Sequence, residues 1–191
     1  MKFILASNSP RRQELLRLCG VTNFTVCPAD VSEELSDNLS PEISVVLLSQ
    51  RKAEAAARNA SSEDVVLSAD TLVFLDRIPL GKPADENDAY MMLKALSGRS
   101  HDVYTGYTLL FRGNKYSHSE RTTVYFRDLE DYEIREYILS GEPMDKAGAY
   151  AVQGAGSVFV SRIEGDYYNV MGLPVCSLFM KLRSLGLERK F

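Results

Sequence analysis

The opening nineteen residues constrain the fold most. An apolar run at residues 3–6 reads as a strand, the polar turn Ser7-Asn8-Ser9 follows it, and Pro10 stands where a helix begins. Proline is tolerated at the first helical position because its missing N–H would be unpaired there anyway, and Ser9 is a natural N-cap. The chain thus alternates strand and helix from its start. Arg11 and Arg12 do not fit a purely structural role. A helix N-terminus already carries partial positive charge, so cations there need an anion to offset them. The turn around Ser7, the helix N-terminus and two guanidinium groups together describe a phosphate site. The alternative is a surface helix with two solvated arginines.

A chain of 191 residues is expected to form a single domain over residues 1–191 with a sizeable core. Its net charge of −4 argues against a general nucleic-acid binder. No apolar run approaches the ~20 residues of a spanning helix, and the apolar start is too short for a signal-peptide core of ~7–15 residues. A cytoplasmic protein with neither membrane nor nucleic acid as partner is expected. Cys19, Cys27 and Cys176 are odd in number and lack a C-x-x-C spacing, so neither a disulfide framework nor a zinc site is indicated; Cys19 and Cys176 read as small core residues. The two histidines, His101 and His118, exclude a histidine-rich metal centre. Any metal would be held by carboxylates, which points to Mg²⁺ or Mn²⁺.

Periodicity predicts helices over residues 10–18, 41–59, 85–97, 131–139 and 175–185. In the second of these, Ile43, Val46, Leu47 and Ala53 recur at helical spacing. A short strand near residues 24–28 precedes an acidic loop at 30–37. Residues 65–75 read as a buried strand interrupted at Asp70. Segments 101–112 and 115–127 read as a hairpin turning at Gly113-Asn114, and 157–163 with 167–170 as a second hairpin turning at Glu164-Gly165-Asp166. Hairpins mixed with strand–helix units give an α/β class with a mixed sheet flanked by helices.

An ionised Asp70 inside an apolar strand is costly unless paired or bound to a cation. It is either a metal ligand or general base, or a satisfied buried carboxylate. Thr71 beside it either hydrogen-bonds a substrate or packs as a strand residue. Lys82, between Gly81 and Pro83, is placed to meet a phosphate or is a solvated loop lysine. Glu33 and Glu34 lie in the acidic loop, where one carboxylate near a triphosphate would complete a metal site. The stretch Asp145-Lys146-Ala147-Gly148-Ala149-Tyr150 with Gln153-Gly154 allows close approach to a flat ligand. Lys146 adds a second lysine to the inventory, and Gln153 carries the donor and acceptor needed to read a base edge. This combination suits a nucleotide with its phosphates and a divalent metal.

Residues 5–16 (from Leu5-Ala6-Ser7 through Arg11-Arg12 to Leu15-Leu16), Ser68-Ala69-Asp70-Thr71, Gly81-Lys82-Pro83, Leu96-Ser97-Gly98-Arg99-x-His101 and the stretch from Asp145 to Tyr150 resemble, in order, the motifs of the Maf-type nucleotide pyrophosphatases. The resemblance covers nearly the whole chain. It implies an ITPase-like α/β fold, with an elongated sheet and a cleft between two lobes. It also implies hydrolysis of a nucleoside triphosphate to the monophosphate and pyrophosphate with a divalent metal. By the same resemblance Asp70 is the proton acceptor, Arg11, Thr71 and Gln153 are tied to substrate choice, and Glu33 and Lys82 belong to the site. The stretch ending in Gln153-Gly154 is similar to the subgroup acting on dTTP and UTP rather than on 7-methyl-GTP, with Ala151-Val152 departing from the usual Gly-Ile. A homodimer is implied as well. The rivals are a 7-methyl-GTP pyrophosphatase of the same family and a non-catalytic nucleotide-binding regulator of cell division.

Overall fold

A computed structural model describes residues 1–35 and 39–188. The acidic loop predicted at 30–37 is therefore described only to Leu35, and Ser36 and Asp37 lie outside the described residues. The elements run β1 (Phe3–Leu5), α1 (Pro10–Leu18), β2 (Thr25–Val26), α2 (Pro41–Ala57), β3 (Val65–Leu75), β4 (Ile78–Leu80), α3 (Glu86–Leu96), β5 (Ser100–Phe111), β6 (Asn114–Phe126), α4 (Asp131–Leu139), β7 (Val160–Glu164), α5 (Tyr167–Met171) and α6 (Val175–Ser184). The strands form one sheet in the order β2-β1-β3-β5-β6-β7, with β4 paired to β3. It is mixed: β1 pairs in parallel with β2 and β3, whereas β4 and β7 pair antiparallel with β3 and β6. Among the described residues no helix is long and apolar enough to cross a membrane.

The chain divides into two compact units, and β3, β5 and β6 run through both. The first unit comprises Met1–Asp70, Thr105–Glu120 and the chain from Gly172 onward. Its core holds Phe3, Leu5, Leu15, Leu16, Val45, Leu48, Leu67, Leu109 and Leu182, all buried. Helix α1 begins as its sequence requires: Ser9 caps it, accepting from the Arg12 N–H, with Pro10 next. Helix α2 starts on Ser40 in the same way. Its buried face is Val45, Leu48, Ser49, Ala53 and Ala56, not the predicted stripe, of which only Ala53 is buried and Ile43 is exposed. The face is set by β5. A Cβ on Gly106 would lie 2.5 Å from the carbonyl of Val45, so the α2 backbone rests directly on that glycine, and Ser49 Oγ meets Thr108 Oγ1 at 2.7 Å. Backbone atoms cannot swing aside as a flexible side chain does. Gly106→Ala is expected to lower stability by about 3 kcal/mol, the upper end for overpacking, read as a lower urea midpoint with unchanged slope.

The second unit comprises Thr71–Tyr104 and Arg121–Met171. Its core includes an aromatic cluster in which His101, Phe126 and Tyr150 meet edge to face at 4.8–5.3 Å, with Phe159 edge-on to Tyr137. His101 Nε2 lies 2.8 Å from the Tyr150 hydroxyl. Burial pushes the His101 pKa down from 6.5 to about 4. The unfolded chain takes up this proton near pH 6.5 and the fold only near 4. Stability is therefore whole above pH 6.5 and falls as pH drops between the two values, by about 3 kcal/mol in total. Urea unfolding at pH 7, 5.5 and 4.5 is expected to show that slope in the native protein and its loss in His101→Gln.

Four local expectations are corrected. β3 is continuous through Asp70, because the carboxylate is compensated rather than expelled. The β5–β6 turn is Arg112-Gly113, one residue earlier than predicted. Its two central residues have φ of 49° and 73°, as a two-residue hairpin turn of this twist demands, so Gly113 supplies the second position. The predicted second hairpin does not form: β7 pairs with β6, and Tyr167–Met171 is a helix. That helix is secured by Asp166 Oδ1 accepting from Tyr168 N–H, and by buried Asn169, whose amide donates to Val103 O and Thr122 Oγ1. Cys19 is buried as expected, whereas Cys176 is exposed; the buried stripe of α6 is Leu178 and Leu182, and Cys176 faces away from it.

Candidate functional site

In the first unit, Glu33 and Asp70 meet on a residue the sequence motifs did not single out, Lys52, and Arg12, held by Ser7, lies in the field of the same two carboxylates. On β3, Ser68 and Asp70 share a face because strand side chains alternate, and both meet α2: Ser68 Oγ donates to Ser49 O, and Asp70 Oδ1 accepts from Lys52 Nζ. The same ammonium donates to Glu33 Oε1 at 2.7 Å. Asp70 is buried, and the Lys52 side chain is 15% exposed against 66% for Glu33. Burial works against the charged ammonium, but Asp70 and Glu33 outweigh it, and the Lys52 pKa is raised.

Arg12 is anchored from two sides. Its Nε donates to Gly172 O at 2.9 Å and its Nη1 to Ser7 Oγ at 3.3 Å, while Ser7 Oγ also accepts from Ser9 N–H. Burial lowers its pKa; the field of Asp70 acts against this, Arg11 reinforces it and Glu33 opposes it. The guanidinium is thus held in place at the N-terminus of α1, within reach of the charge on Asp70. Arg11 beside it is half-buried. A helix N-terminus with an anchored arginine binds phosphate oxygens through directed N–H donors.

The signal for Lys52 was present but lay one step off. On the face of α2 actually buried, position 52 falls between Ser49, Ala53 and Ala56. A lysine on a buried helical stripe needs an anion, and Asp70 is that anion.

The remaining predicted residues lie in the second unit. Thr71 follows Asp70 on β3 and is half-buried; Lys82 and Gln153 are exposed. The Gly-Lys-Pro loop is tied to the glycine-rich stretch by Gly148 N–H donating to Gly81 O at 3.0 Å. Gly148 and Ala149 both adopt positive φ, 70° and 58°, and a Cβ on Gly148 would press on Val73 at 3.1 Å. Lys146 Nζ donates to Asp145 Oδ1. Glu34 N–H donates to Ser32 Oγ, and its carbonyl accepts from Arg51; Glu33, not Glu34, is the glutamate that meets Lys52.

Among the described residues, no group of three or more His, Cys, Asp or Glu side chains is arranged to hold a metal ion. Asp70 and Glu33 nonetheless converge on one ammonium nitrogen. Two carboxylates completed by substrate phosphates fit the habits of Mg²⁺, which keeps few protein ligands.

The family profile described as Maf-like protein matches residues 2–185. The chain is 50% identical over 188 residues to a dTTP/UTP pyrophosphatase of Carboxydothermus hydrogenoformans, covering 97% of this chain and 100% of that protein. It is 46% identical over 187 residues to a dTTP/UTP pyrophosphatase of Bacillus cereus, covering 98% and 97%. In fold it is similar to the Ham1 protein of Staphylococcus aureus, with a TM-score of 0.56 at 14% identity over 97% of this chain and 100% of that one. A HAM1 protein of Coxiella burnetii gives 0.55 at 15% identity, covering 96% and 99%.

Proposed function

The chain belongs to the Maf family, and from that premise we propose that it is a nucleoside triphosphate pyrophosphatase. It cleaves dTTP and UTP, and modified uridine or cytidine nucleotides, to the monophosphate and pyrophosphate, clearing the nucleotide pool. What supports this most is the Lys52–Asp70–Glu33 cluster with Arg12 anchored in its field, in a chain half identical to a protein of that name.

In the proposed reaction, water attacks the α-phosphorus. The new P–O bond forms as the bond to the bridging oxygen breaks, the proton passes to the Asp70 carboxylate, and pyrophosphate leaves with the electron pair. Lys52 holds one Asp70 oxygen and thereby orients the carboxylate. Arg11, Arg12 and Lys82, with the α1 N-terminus and Ser7, neutralise charge growing on the leaving group. Lys146 supports the glycine-rich stretch, and Thr71 and Gln153 select the nucleoside, Gln153 by presenting a donor and an acceptor to the base. Asp70 and Glu33 would hold Mg²⁺ or Mn²⁺, which supplies Lewis-acid neutralisation of phosphate charge when bound. We propose further that residues 1–191 act as a single pyrophosphatase domain, in the cytoplasm and as a homodimer. Free nucleotides would be its partners, with neither nucleic acid nor membrane; the net charge of −4 supports the exclusion of nucleic acid.

The test is a panel of dTTP, UTP, CTP and 7-methyl-GTP with Mg²⁺ or Mn²⁺, following pyrophosphate and monophosphate. Preferential cleavage of dTTP and UTP is expected. Cleavage of 7-methyl-GTP alone would overturn the substrate and keep the reaction. Folded protein that turns over no nucleotide would overturn the enzyme in favour of a binding regulator.

A further inference from the structure

The turn carrying Gln153 is pinned on both sides by one pair of side chains. After Gln153, Glu142 Oε2 accepts from the Ala155 N–H and Oε1 from the Gly156 N–H, each at 3.1 Å. Before it, the Tyr137 hydroxyl accepts from the Ala151 N–H at 3.1 Å. That hydroxyl donates in turn to Glu142 Oε1 at 2.8 Å, which closes the bracket. Three donors converge on one acid, which an ionised carboxylate accepts and an amide cannot match, since half of an amide is a donor. Burial raises the Glu142 pKa, but the Gly156 N–H, the Tyr137 hydroxyl and the Ala155 N–H outweigh it, and the net shift is downward. The fit is close. Gly154 has φ of 126°, and a Cβ there would lie 2.6 Å from Glu142 Oε2; one on Gly156 would lie 2.7 Å from the Tyr137 hydroxyl. Tyr137 is itself buried and edge-on to Phe159 at 5.0 Å, so the bracket stands on the core of its unit.

Gln153 stays exposed between the two pinned arms. Its amide can separate one base from another only if donor and acceptor are presented in a fixed place, because a displacement of about 1 Å forfeits the directed hydrogen bonds. We propose that Tyr137 and Glu142 are positioning residues that set nucleobase discrimination by fixing the backbone carrying Gln153. This rests on the assignment of Gln153 as the base reader.

The experiment compares kcat and KM for UTP and CTP in the full-length protein and in Tyr137→Phe, Glu142→Gln, Gln153→Ala and the double variant Tyr137→Phe/Gln153→Ala. The UTP-to-CTP ratio of kcat/KM is expected to fall about tenfold in Tyr137→Phe, through KM more than kcat. It is expected to fall less in Glu142→Gln and no further in the double variant than in Gln153→Ala alone, since residues acting through one another are not additive. A ratio unchanged in both single variants, or an additive loss in the double variant, overturns the proposal. Amide hydrogen exchange of the native protein provides a second arm that depends on neither variant folding nor turnover. The Ala151, Ala155 and Gly156 N–H groups are expected to be protected, with exchange at Gln153 at least tenfold faster. Fast exchange at all four positions overturns the bracket. If the native protein cleaves no nucleotide while those amides are protected, the assignment of Gln153 fails rather than the bracket.

Discussion

Asp70→Asn is expected to lose about 10³-fold in kcat while still binding nucleotide, because positioned proton transfer contributes roughly 10²–10⁴-fold. The amide keeps the shape of the carboxylate and can still accept from Lys52 Nζ, but it takes no proton from water. Two readouts separate chemistry from folding. Steady-state kinetics on UTP would give kcat, and equilibrium binding of a non-hydrolysable analogue would give affinity. Turnover within a few-fold of native would remove Asp70 from proton transfer. A parallel loss of binding and turnover would make it a residue that shapes the phosphate site instead.

Lys52→Met carries the second large effect, and it reaches stability as well as rate. Lys52 and Asp70 are both largely buried, and removing one partner leaves an uncompensated charge that costs about 3 kcal/mol or more. For a chain of this length that is a fall in Tm of roughly 6–12 °C. Asp70 would also lose the ammonium that orients its carboxylate, so turnover is expected to fall about 10²-fold. Lys52→Arg restores a cation and should recover much of the stability, with less of the rate because a planar fork does not replace a point charge. The native pair has its own pH limit. The folded pKa of Lys52 is raised above 10.5, so its contribution is whole below pH 10.5 and is lost as pH climbs through the higher folded value. Thermal melts from pH 7 to 11 on native protein and Lys52→Met would show the two curves converging at the alkaline end. Parallel curves would deny the pair any such role.

What was legible in the sequence is short in range. Ser9 before Pro10 and Ser40 before Pro41 mark helix starts, and each caps as its chemistry requires, because a cap is completed within three residues; Asp85, expected as the first residue of its helix, is instead the cap before Glu86. Helix α4 begins at Asp131 and ends at Leu139, as the apolar spacing of the segment demands. Asp70 was identifiable as a charge in need of a partner, since the cost of burying a carboxylate follows from its apolar neighbours alone. The ordered motifs from Ser7 to Gln153 carried the family.

Tertiary structure decided who meets whom. The buried face of α2 depends on where β5 offers Gly106 to the Val45 backbone, and nothing within α2 records that. From that rotation follows Lys52 as the partner of Asp70, eighteen residues away in the chain. Residues 167–171 turned helical because Asn169 found Val103 and Thr122, partners on strands distant in sequence. The same holds for Glu142 and Tyr137, whose grip on the turn of Gln153 joins segments that no local pattern pairs. Capping and periodicity are settled by neighbours along the chain. The choice of a buried charge's partner is settled by which helix face the sheet accepts, and only the packed chain makes that choice.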